Sequence, residues 1–253
     1  MEKNIFDISS KNAIIVGGIG DLGWAIAQGY YKHGANVVII DIKSQSHSIK
    51  PDLKNSIFTS IKADISNENE IEKAFEKAID IFGGRIDILV NSAGIQRRMS
   101  SENFSTKDWN EVISVNLTAT FIFSKLVCKS MIKSNIQGKI INIASMQSFF
   151  GGLTIPAYAA SKGGVAQLTK AFSNDLSSKG ININAIAPGY MDTQLNTTLK
   201  NDKVRLQETM YRIPIGRWGE PNDLVGLAIF LASGASNYLT GAIIPVDGGF
   251  SGR

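Results

Sequence analysis

Tyr158 and Lys162, in the segment YAASK, could together transfer a proton. Their i, i+4 spacing places both side chains on one face of a helix, one turn apart. A free phenol has a pKa of about 10, and lowering it by about three units takes about 4 kcal/mol of differential stabilisation. A neighbouring ammonium group favours the phenolate. The pair gains weight from its position, because it opens the helix that follows the strand candidate KIINIAS at residues 139–145.

A glycine-rich turn, VGGIGDLG at residues 16–23, could hold phosphate groups. Gly18, Gly20 and Gly23 match the pattern G-x-G-x-x-G between a strand candidate and a helix candidate. In that context the glycines allow close backbone approach, and the helix N-terminus offers free N–H groups to a pyrophosphate. The turn therefore predicts a dinucleotide site, although a purely structural glycine turn is the alternative.

Two acidic residues refine this prediction. Asp41 ends the second strand candidate about 20 residues beyond the turn, where an acid accepts hydrogen bonds from ribose hydroxyls and repels a 2′-phosphate. NAD is therefore favoured over NADP, although Lys43 follows closely and Asp41 could instead be a solvated strand-end acid. Asp21 lies one residue before the predicted helix start at Leu22, so we expect its carboxylate to cap that helix.

Short runs of Ile and Val alternate with longer amphipathic segments, which is typical of βαβ units around a parallel sheet. The predicted strands are 13–16, 36–41, 57–64, 86–91, 139–145, 181–188 and 242–247. The predicted helices are about 22–33, 67–82, 106–134, 157–179 and 221–233, with a weak crossover near 43–55. The sequence thus predicts a single Rossmann-like α/β domain over 1–253, a doubly wound parallel sheet of seven strands with helices on both faces.

Residues 189–213 interrupt this alternation, since they are polar and poor in strand signal. Long loops inside compact domains are usually functional. We therefore predict that this segment, called the lid below, covers the substrate.

Further motifs stand at characteristic places around Tyr158. Ser145 precedes it by thirteen residues, and Asn116 lies in VNL. The remaining motifs are NSAG (91–94), AD (63–64) and PGYMDT (188–193). With these motifs the chain resembles the short-chain dehydrogenase/reductase family over nearly its whole length. It departs from the family pattern where Val16 replaces Thr, Asp21 replaces Gly and Ser92 replaces Asn.

The resemblance implies a role for each matched residue. Tyr158 would be the general acid/base while a hydride passes to or from NAD, and Lys162 would stabilise the phenolate and bind the nicotinamide ribose. Ser145 would bind the reacting oxygen, and Asn116 would hold a water of the proton relay. The implied cofactor contacts are Gly17, Gly18, Gly20, Asp21, Leu22, Gly23, Asp41, Asp64, Ile65, Asn91, Ala93, Gly94, Tyr158, Lys162, Pro188, Gly189, Met191 and Thr193.

Within the family the chain looks most like the bacterial sugar-acid branch. The segments that carry this likeness are AGIQRR (93–98), SMQS (145–148), SFFGG (148–152) and RIPIGRWG (212–219). A sugar acid carries a carboxylate that arginine can clamp bidentately. Arg98 is the first candidate, Arg97 the second, and Gln147 would contact a hydroxyl; solvated loop arginines are the alternative. The family also implies a homotetramer.

Composition excludes several other classes. The net charge of +4 is scattered rather than clustered, which disfavours nucleic-acid binding. Cys128 stands alone and His33 and His47 are the only histidines, so neither a disulfide nor a metal site is expected. We predict a cytoplasmic protein without a membrane span, because no signal peptide or long uncharged apolar run is present. A catalytically idle dinucleotide-binding sensor remains the alternative to an enzyme.

Overall fold

A seven-stranded parallel sheet forms the centre of the protein, seen here in a computed structural model that describes residues 4–43, 56–197, 199 and 202–252. In chain order the strands are β1 (Asn12–Val16), β2 (Asn36–Asp41), β3 (Phe58–Lys62), β4 (Ile88–Asn91), β5 (Gly138–Ile143), β6 (Ile181–Pro188) and β7 (Ile243–Val246). Their spatial order is β3-β2-β1-β4-β5-β6-β7. All seven predicted strands and the doubly wound fold class are confirmed. The order reverses between β1 and β4, and ligands bind at such a switch point.

Helices cover both faces of this sheet. They are α1 (Asp21–Lys32), α2 (Glu68–Ile81), α3 (Thr106–Ile113), α4 (Ala119–Lys133), α5 (Pro156–Leu176), α6 (Lys203–Tyr211) and α7 (Val225–Ala232). Successive residues of a strand point to opposite faces. Ile14 of β1 therefore shares an apolar cluster with Phe123 of α4, whereas Ile15 shares the opposite cluster with Tyr30 of α1 and Leu231 of α7.

The predicted helix 106–134 is not continuous. A π-helical turn, Ser114–Thr118, separates α3 from α4, and Asn116 lies within it. By length and composition alone, Thr106–Lys133 could cross a membrane, but half of its most apolar stretch is buried in the fold. A core helix meets the same criteria, and Cys128 of α4 is a buried free thiol.

Glycines follow the last residues of α1 and of the α5 region. Gly34 and Gly180 have φ of +81° and +82°, a left-handed conformation that glycine adopts without a Cβ clash. His33 is the C-cap residue of α1, as expected. The predicted weak crossover falls largely on residues 44–55, which lie outside the described residues.

The lid is not the long loop that we expected from the sequence. It contains a short 3-10 turn, Gln194–Asn196, and the helix α6. The α6 sequence KVRLQETMY has few apolar residues and they do not form a clear stripe, so its pattern did not predict a helix. Its position beneath the chain end supplies the packing that the local pattern lacks: Leu206 and Met210 pack against a buried cluster that includes Phe250.

Candidate active site

The carboxyl ends of β1, β4, β5 and β6 surround a cavity of about 410 Å³. The glycine turn forms one wall, and Ser145, Tyr158 and Lys162 form another. Twelve of the predicted cofactor contacts line this cavity: Gly17, Gly20, Asp21, Leu22, Gly23, Gly94, Tyr158, Lys162, Pro188, Gly189, Met191 and Thr193. The topology therefore brings together residues that are far apart in the sequence.

Backbone geometry in the turn fits a dinucleotide. Gly17 has φ of +73°, and a Cβ there would lie 2.5 Å from the backbone of Ala93. A Cβ at Gly18 would lie 2.9 Å from the side chain of Ile39. The turn is thus pressed against its neighbours, and only glycine leaves room for the chain to open α1 towards the cavity. Ser92, also on the cavity wall, has a buried hydroxyl without a hydrogen-bond partner among the described residues, which suits a bound polar ligand.

Asp21 does not cap α1, so that prediction is wrong. The helix begins at Asp21. Its N-cap residue is Gly20, which has no side chain that could cap the helix. The Asp21 carboxylate instead accepts a hydrogen bond of 2.7 Å from the backbone N–H of Gln194 in the lid. Local sequence could not reveal this partner, which is 173 positions away. Asp21 therefore joins the cofactor turn to the lid.

Asp41 supports the glycine turn from behind. Its two carboxylate oxygens accept hydrogen bonds from the backbone N–H groups of Ile19 (3.0 Å) and Lys43 (2.9 Å), and only 8% of the residue is exposed. It does not line the cavity, whereas Lys43 does. Sequence analysis considered Lys43 only as a neighbour of the acid, because the direction of a side chain after a strand end depends on the turn that follows.

Five further predicted cofactor contacts do not line the cavity: Gly18, Asp64, Ile65, Asn91 and Ala93. Asp64 accepts hydrogen bonds from the backbone N–H and hydroxyl of Ser66, and Ile65 belongs to the core. Asn91 donates to Ser124 Oγ (3.1 Å) and Asn142 Oδ1 (2.8 Å). Of these residues, Asn91 lies at the end of β4, one of the strands that surround the cavity.

Tyr158, Ser145 and Lys162 form one cluster. All three side chains line the first cavity, where the Ser145 hydroxyl lies near enough to the Tyr158 phenol to lower its pKa. Burial raises the pKa of the phenol, while Ser145 and the positive charge of Arg98 lower it, and the net direction is upward. The Lys162 ammonium donates to the Ile143 carbonyl at 2.6 Å and lies 5.8 Å from the centroid of the phenol ring. The lowered phenol pKa that we expect from the ammonium together with a bound nicotinamide is thus not produced by the chain's own groups.

Lys162 itself is buried, with 4% of its surface exposed. Burial lowers the pKa of its ammonium to about 8. Removing a charge from water costs free energy, so an anionic or polar group that enters beside Lys162 stabilises the charged form of its ammonium.

Asn116 uses its side chain to hold the segment after β4. Its Oδ1 accepts from the backbone N–H of Ile95 at 2.8 Å, and its Nδ2 donates to the Ile95 carbonyl and to Ser161 Oγ, both at 3.0 Å. Its backbone carbonyl accepts from Thr120 Oγ1 at 2.9 Å. The π-helical turn places this amide under Gly94, where a Cβ would lie 3.6 Å from Lys162 Nζ.

A second cavity, of about 420 Å³, shares Ser145, Tyr158 and Gly189 with the first. Arg98 and Gln147 line it, as predicted for substrate contacts. With the Gln96 amide turned so that its Oε1 faces Arg98, that oxygen accepts two hydrogen bonds from the guanidinium, at 2.8 and 3.1 Å. The buried Oε1 of Gln147 has no partner among the described residues, so it can accept a hydrogen bond from a ligand hydroxyl.

Arg97 is not part of this wall. Its guanidinium donates to Glu111 Oε1 at 2.7 Å and lies 3.9 Å from Asp108, both on α3. Neighbouring residues on an extended segment point in opposite directions, and these acids fix Arg97 on the outer side. Arg97, the second-choice substrate contact, thus points to α3 and does not line the second cavity.

Sequence analysis missed the opposite wall of the second cavity. Glu208, Thr209 and Arg212 of the lid and Phe250 near the chain end contribute to it. No local motif marks them, because the lid and the chain end approach Tyr158 only in the folded chain. No group of three or more His, Cys, Asp or Glu side chains that could hold a metal occurs in the part of the chain that the structure describes.

Comparison with known proteins adds an independent line of evidence. Residues 18–251 match the family model described as enoyl-(acyl carrier protein) reductase. The 2-dehydro-3-deoxy-D-gluconate 5-dehydrogenase of Dickeya dadantii is 43% identical over 251 residues, 99% of each chain. The 5-keto-D-gluconate 5-reductase of Escherichia coli K12 is 39% identical over 97% of each chain. A crystal structure of a gluconate 5-dehydrogenase from Burkholderia cenocepacia, in complex with NADP and tartrate, has a TM-score of 0.90, 37% identity and 98% coverage of each chain.

Proposed function

Since the chain belongs to the short-chain dehydrogenase/reductase family, we propose that it is an NAD-dependent oxidoreductase of class EC 1.1.1.127. The proposed reaction interconverts 2-dehydro-3-deoxy-D-gluconate and 3-deoxy-D-glycero-2,5-hexodiulosonate. The observation that carries the proposal is the position of Ser145 and Tyr158 on a wall shared by two cavities. One cavity has the glycine turn and the other has two arginines, Arg98 and Arg212, so a dinucleotide and a sugar acid would meet at the phenol.

Each residue of the cluster has its own role in the proposed proton transfer. A nicotinamide dinucleotide, when bound, supplies the hydride acceptor at its C4. Tyr158 would take the proton of the C5 hydroxyl as the hydride leaves C5, and would return it in the reverse direction. Ser145 would hold the reacting oxygen through its hydroxyl. Lys162 would keep a positive charge beside the phenol and hydrogen-bond the ribose.

Asn116 supports this arrangement as a positioning residue in the proposal. Its amide fixes Ile95 and so the segment that leads to Arg98. Remaining acceptor capacity on its oxygens would hold the water of the predicted relay. The twelve cavity-lining residues given above are the proposed direct cofactor contacts, with Ser92 and Lys43 added.

NAD is the proposed cofactor. Support comes from the position of Asp41 at the end of β2, where an acid disfavours a 2′-phosphate, although its carboxylate is held behind the glycine turn and does not line the cavity. Lys43 on the cavity wall acts in the opposite sense, because its ammonium would attract that phosphate. The ratio of kcat/KM for NAD and NADP, measured on one preparation, tests the preference.

A second candidate substrate is D-gluconate, oxidised at C5. The Burkholderia relative favours it, whereas the Dickeya relative favours the 3-deoxy acid. The two substrates differ at C3, where gluconate has a hydroxyl and the 3-deoxy acid has a methylene. Arg98 and Gln147 are proposed substrate contacts for either one.

Reduction of NAD across a panel of sugar acids tests the proposed function. We expect turnover of 2-dehydro-3-deoxy-D-gluconate to exceed that of D-gluconate. Tight dinucleotide binding without turnover of any acid would support an idle sensor instead, and salt-dependent binding to DNA would support a nucleic-acid binder.

We further propose a homotetramer in the cytoplasm. The family resemblance supports the tetramer, and so do the exposed aromatic side chains of Trp109 and Phe121 on α3 and α4. A single buried cysteine supports a reducing compartment. Light scattering of the purified protein checks the assembly, and cell fractionation checks the location.

A further inference from the structure

Arg212 occupies an unusual place in the second cavity. It lines the wall formed by the lid, whereas Arg98 follows β4. Its guanidinium lies over the ring of Phe250, with the central carbon 4.4 Å from the ring centroid. A guanidinium stacked on an aromatic face is held in one plane, and its N–H edge stays available for a planar acceptor.

Phe250 is a firm platform for this stack. Only 9% of the residue is exposed, and its ring packs edge-on against Tyr190 and Phe150 at centroid distances of 5.5 and 6.3 Å. Both of these aromatic residues line the same cavity. The cluster of rings therefore gives the guanidinium of Arg212, an exposed residue, a rigid surface on which to stack.

The chain end is folded so that Phe250 reaches this position. The Asp247 carboxylate accepts hydrogen bonds from the backbone N–H groups of Gly249 (3.0 Å) and Ser251 (2.8 Å). Gly248 and Gly249 have φ of +64° and +90°, which bends the chain back over the cavity. A glycine at 189 makes room for this bend, because a Cβ there would lie 2.7 Å from Asp247 Cα.

The charge of Arg212 has no acidic partner among the residues that the structure describes. Two nearby arginines behave differently: Arg217 is paired bidentately with Asp223 at 2.6 and 2.9 Å, and Arg97 is paired with Glu111. Glu208 lines the same wall four positions earlier on the chain, yet no ion pair joins it to Arg212. An available guanidinium over an aromatic ring suits a carboxylate ligand.

The distance between the reacting carbon and the carboxylate of the proposed substrate allows the two arginines to bind different ends of it. A sugar acid that reacts at C5 carries its carboxylate four bonds away, about 5 Å from the reacting carbon with C–C bonds of about 1.5 Å. Arg98 follows β4 and is already held by Gln96, whereas Arg212 stands on the opposite wall of the cavity, formed by the lid. The substrate is long enough for Arg98 to contact its reacting end while Arg212 contacts its carboxylate.

We propose that Arg212, stacked on Phe250, binds the substrate carboxylate and makes the enzyme selective for anionic substrates. This inference rests on the proposed function and deepens it. It replaces Arg98 as the carboxylate partner and assigns Arg98 to the hydroxyl groups near C5.

The test compares an acid with its uncharged amide. In the wild type, the sugar acid that is turned over best should exceed its primary amide in kcat/KM by about 30-fold, as expected for one bidentate charge-assisted contact. Arg212→Gln should remove this preference by raising KM for the acid about 30-fold, with kcat and the amide unchanged. Arg212→Lys should keep part of the preference, because it retains the charge without the planar fork.

Arg217→Gln is the matched control. It removes an arginine five positions after Arg212 whose guanidinium is already paired with Asp223. It should leave both substrates unchanged. The proposal is overturned if Arg212→Gln slows acid and amide equally, or if Arg98→Gln alone removes the preference.

Calorimetric binding of gluconate and gluconamide to the enzyme with NADH separates this proposal from the proposed reaction. Arg212-dependent binding of the acid without turnover of any acid would support the carboxylate site and contradict the proposed reaction. Turnover that does not depend on Arg212 would support the proposed reaction and contradict the carboxylate site. Binding of no sugar acid of the panel by the wild type, 2-dehydro-3-deoxy-D-gluconate included, would overturn the carboxylate site directly.

Discussion

Replacement of Asp21 tests the hydrogen bond between the glycine turn and the lid, and the effect of the Asp21 charge on cofactor binding. Two variants separate the two effects of this carboxylate. Asp21→Asn removes the charge but leaves an oxygen that can accept from the Gln194 N–H. Asp21→Gly removes both and restores the glycine of the family pattern. Residue 21 has helical geometry as the first residue of α1, so neither change strains the backbone.

The expected loss of stability follows from two contacts. A hydrogen bond to a charged group contributes about 1.5–3 kcal/mol when buried, and we take about 1 kcal/mol because Asp21 is only partly buried. A carboxylate in the first turn of a helix adds about 0.5 kcal/mol. Asp21→Gly should therefore lower the free energy of unfolding by about 1.5 kcal/mol and Tm by roughly 3–6 °C. Asp21→Asn should lose less than half of this.

Cofactor affinity should change in the opposite direction. The Asp21 carboxylate lines the cavity proposed for the pyrophosphate. At a separation of about 6–8 Å and an effective dielectric between those of water and the protein surface, such a pair of like charges costs about 0.5–2.5 kcal/mol. Both variants should therefore bind NADH about five- to tenfold more tightly at low salt, and the gain should shrink at 0.5 M NaCl, where the Debye length is about 4 Å.

Urea denaturation and fluorescence titration with NADH measure the two quantities. Unchanged stability of Asp21→Gly would show that the Gln194 contact is not formed in solution. Unchanged NADH affinity in both variants would show that the carboxylate is too far from the phosphates to matter. Tighter binding by Asp21→Asn alone would mean that the link to the lid itself supports binding.

Four further predictions concern single residues. Tyr158→Phe should fold normally and lose turnover by at least a thousandfold; near-normal rates would remove its assignment as general acid/base. Lys162 has a pKa of about 8 in the folded chain against 10.5 ordinarily, so the unfolded chain binds more protons between these values and stability rises with pH. Lys162→Met should be inactive and more stable than the wild type at pH 7. Its free energy of unfolding, measured by denaturation from pH 8 to 10.5, should lack this increase with pH. Lys43→Ala should lower kcat/KM for NADP several-fold and leave NAD unchanged, and equal effects on both would contradict a role at the 2′-phosphate. Arg97→Gln should leave KM for the sugar acid within twofold, and a large increase would restore Arg97 as a substrate contact.

The catalytic cluster could be located from the sequence because it is tied to regular structure. The i, i+4 spacing of Tyr158 and Lys162 fixes their common helix face, and KIINIAS identifies the strand that leads to it. The carboxyl ends of parallel strands share one edge, so the glycine turn after β1 and Ser145 after β5 had to meet there.

Contacts between irregular segments could not be obtained in this way. Asp21 was expected to cap its own helix, but its partner is Gln194 in the lid. Arg97 and Arg98 are indistinguishable by type, and only the acids of α3 decide that Arg97 faces outward.

By itself the sequence determined the alternation of strands and helices, the edge at which ligands bind and the residues that can move a proton, since each depends on spacing along the chain. The tertiary structure decided which loops cover that edge. It placed Arg212 over Phe250 and turned the chain end back across the cavity, because packing between distant segments leaves no periodic trace in the residues that make it.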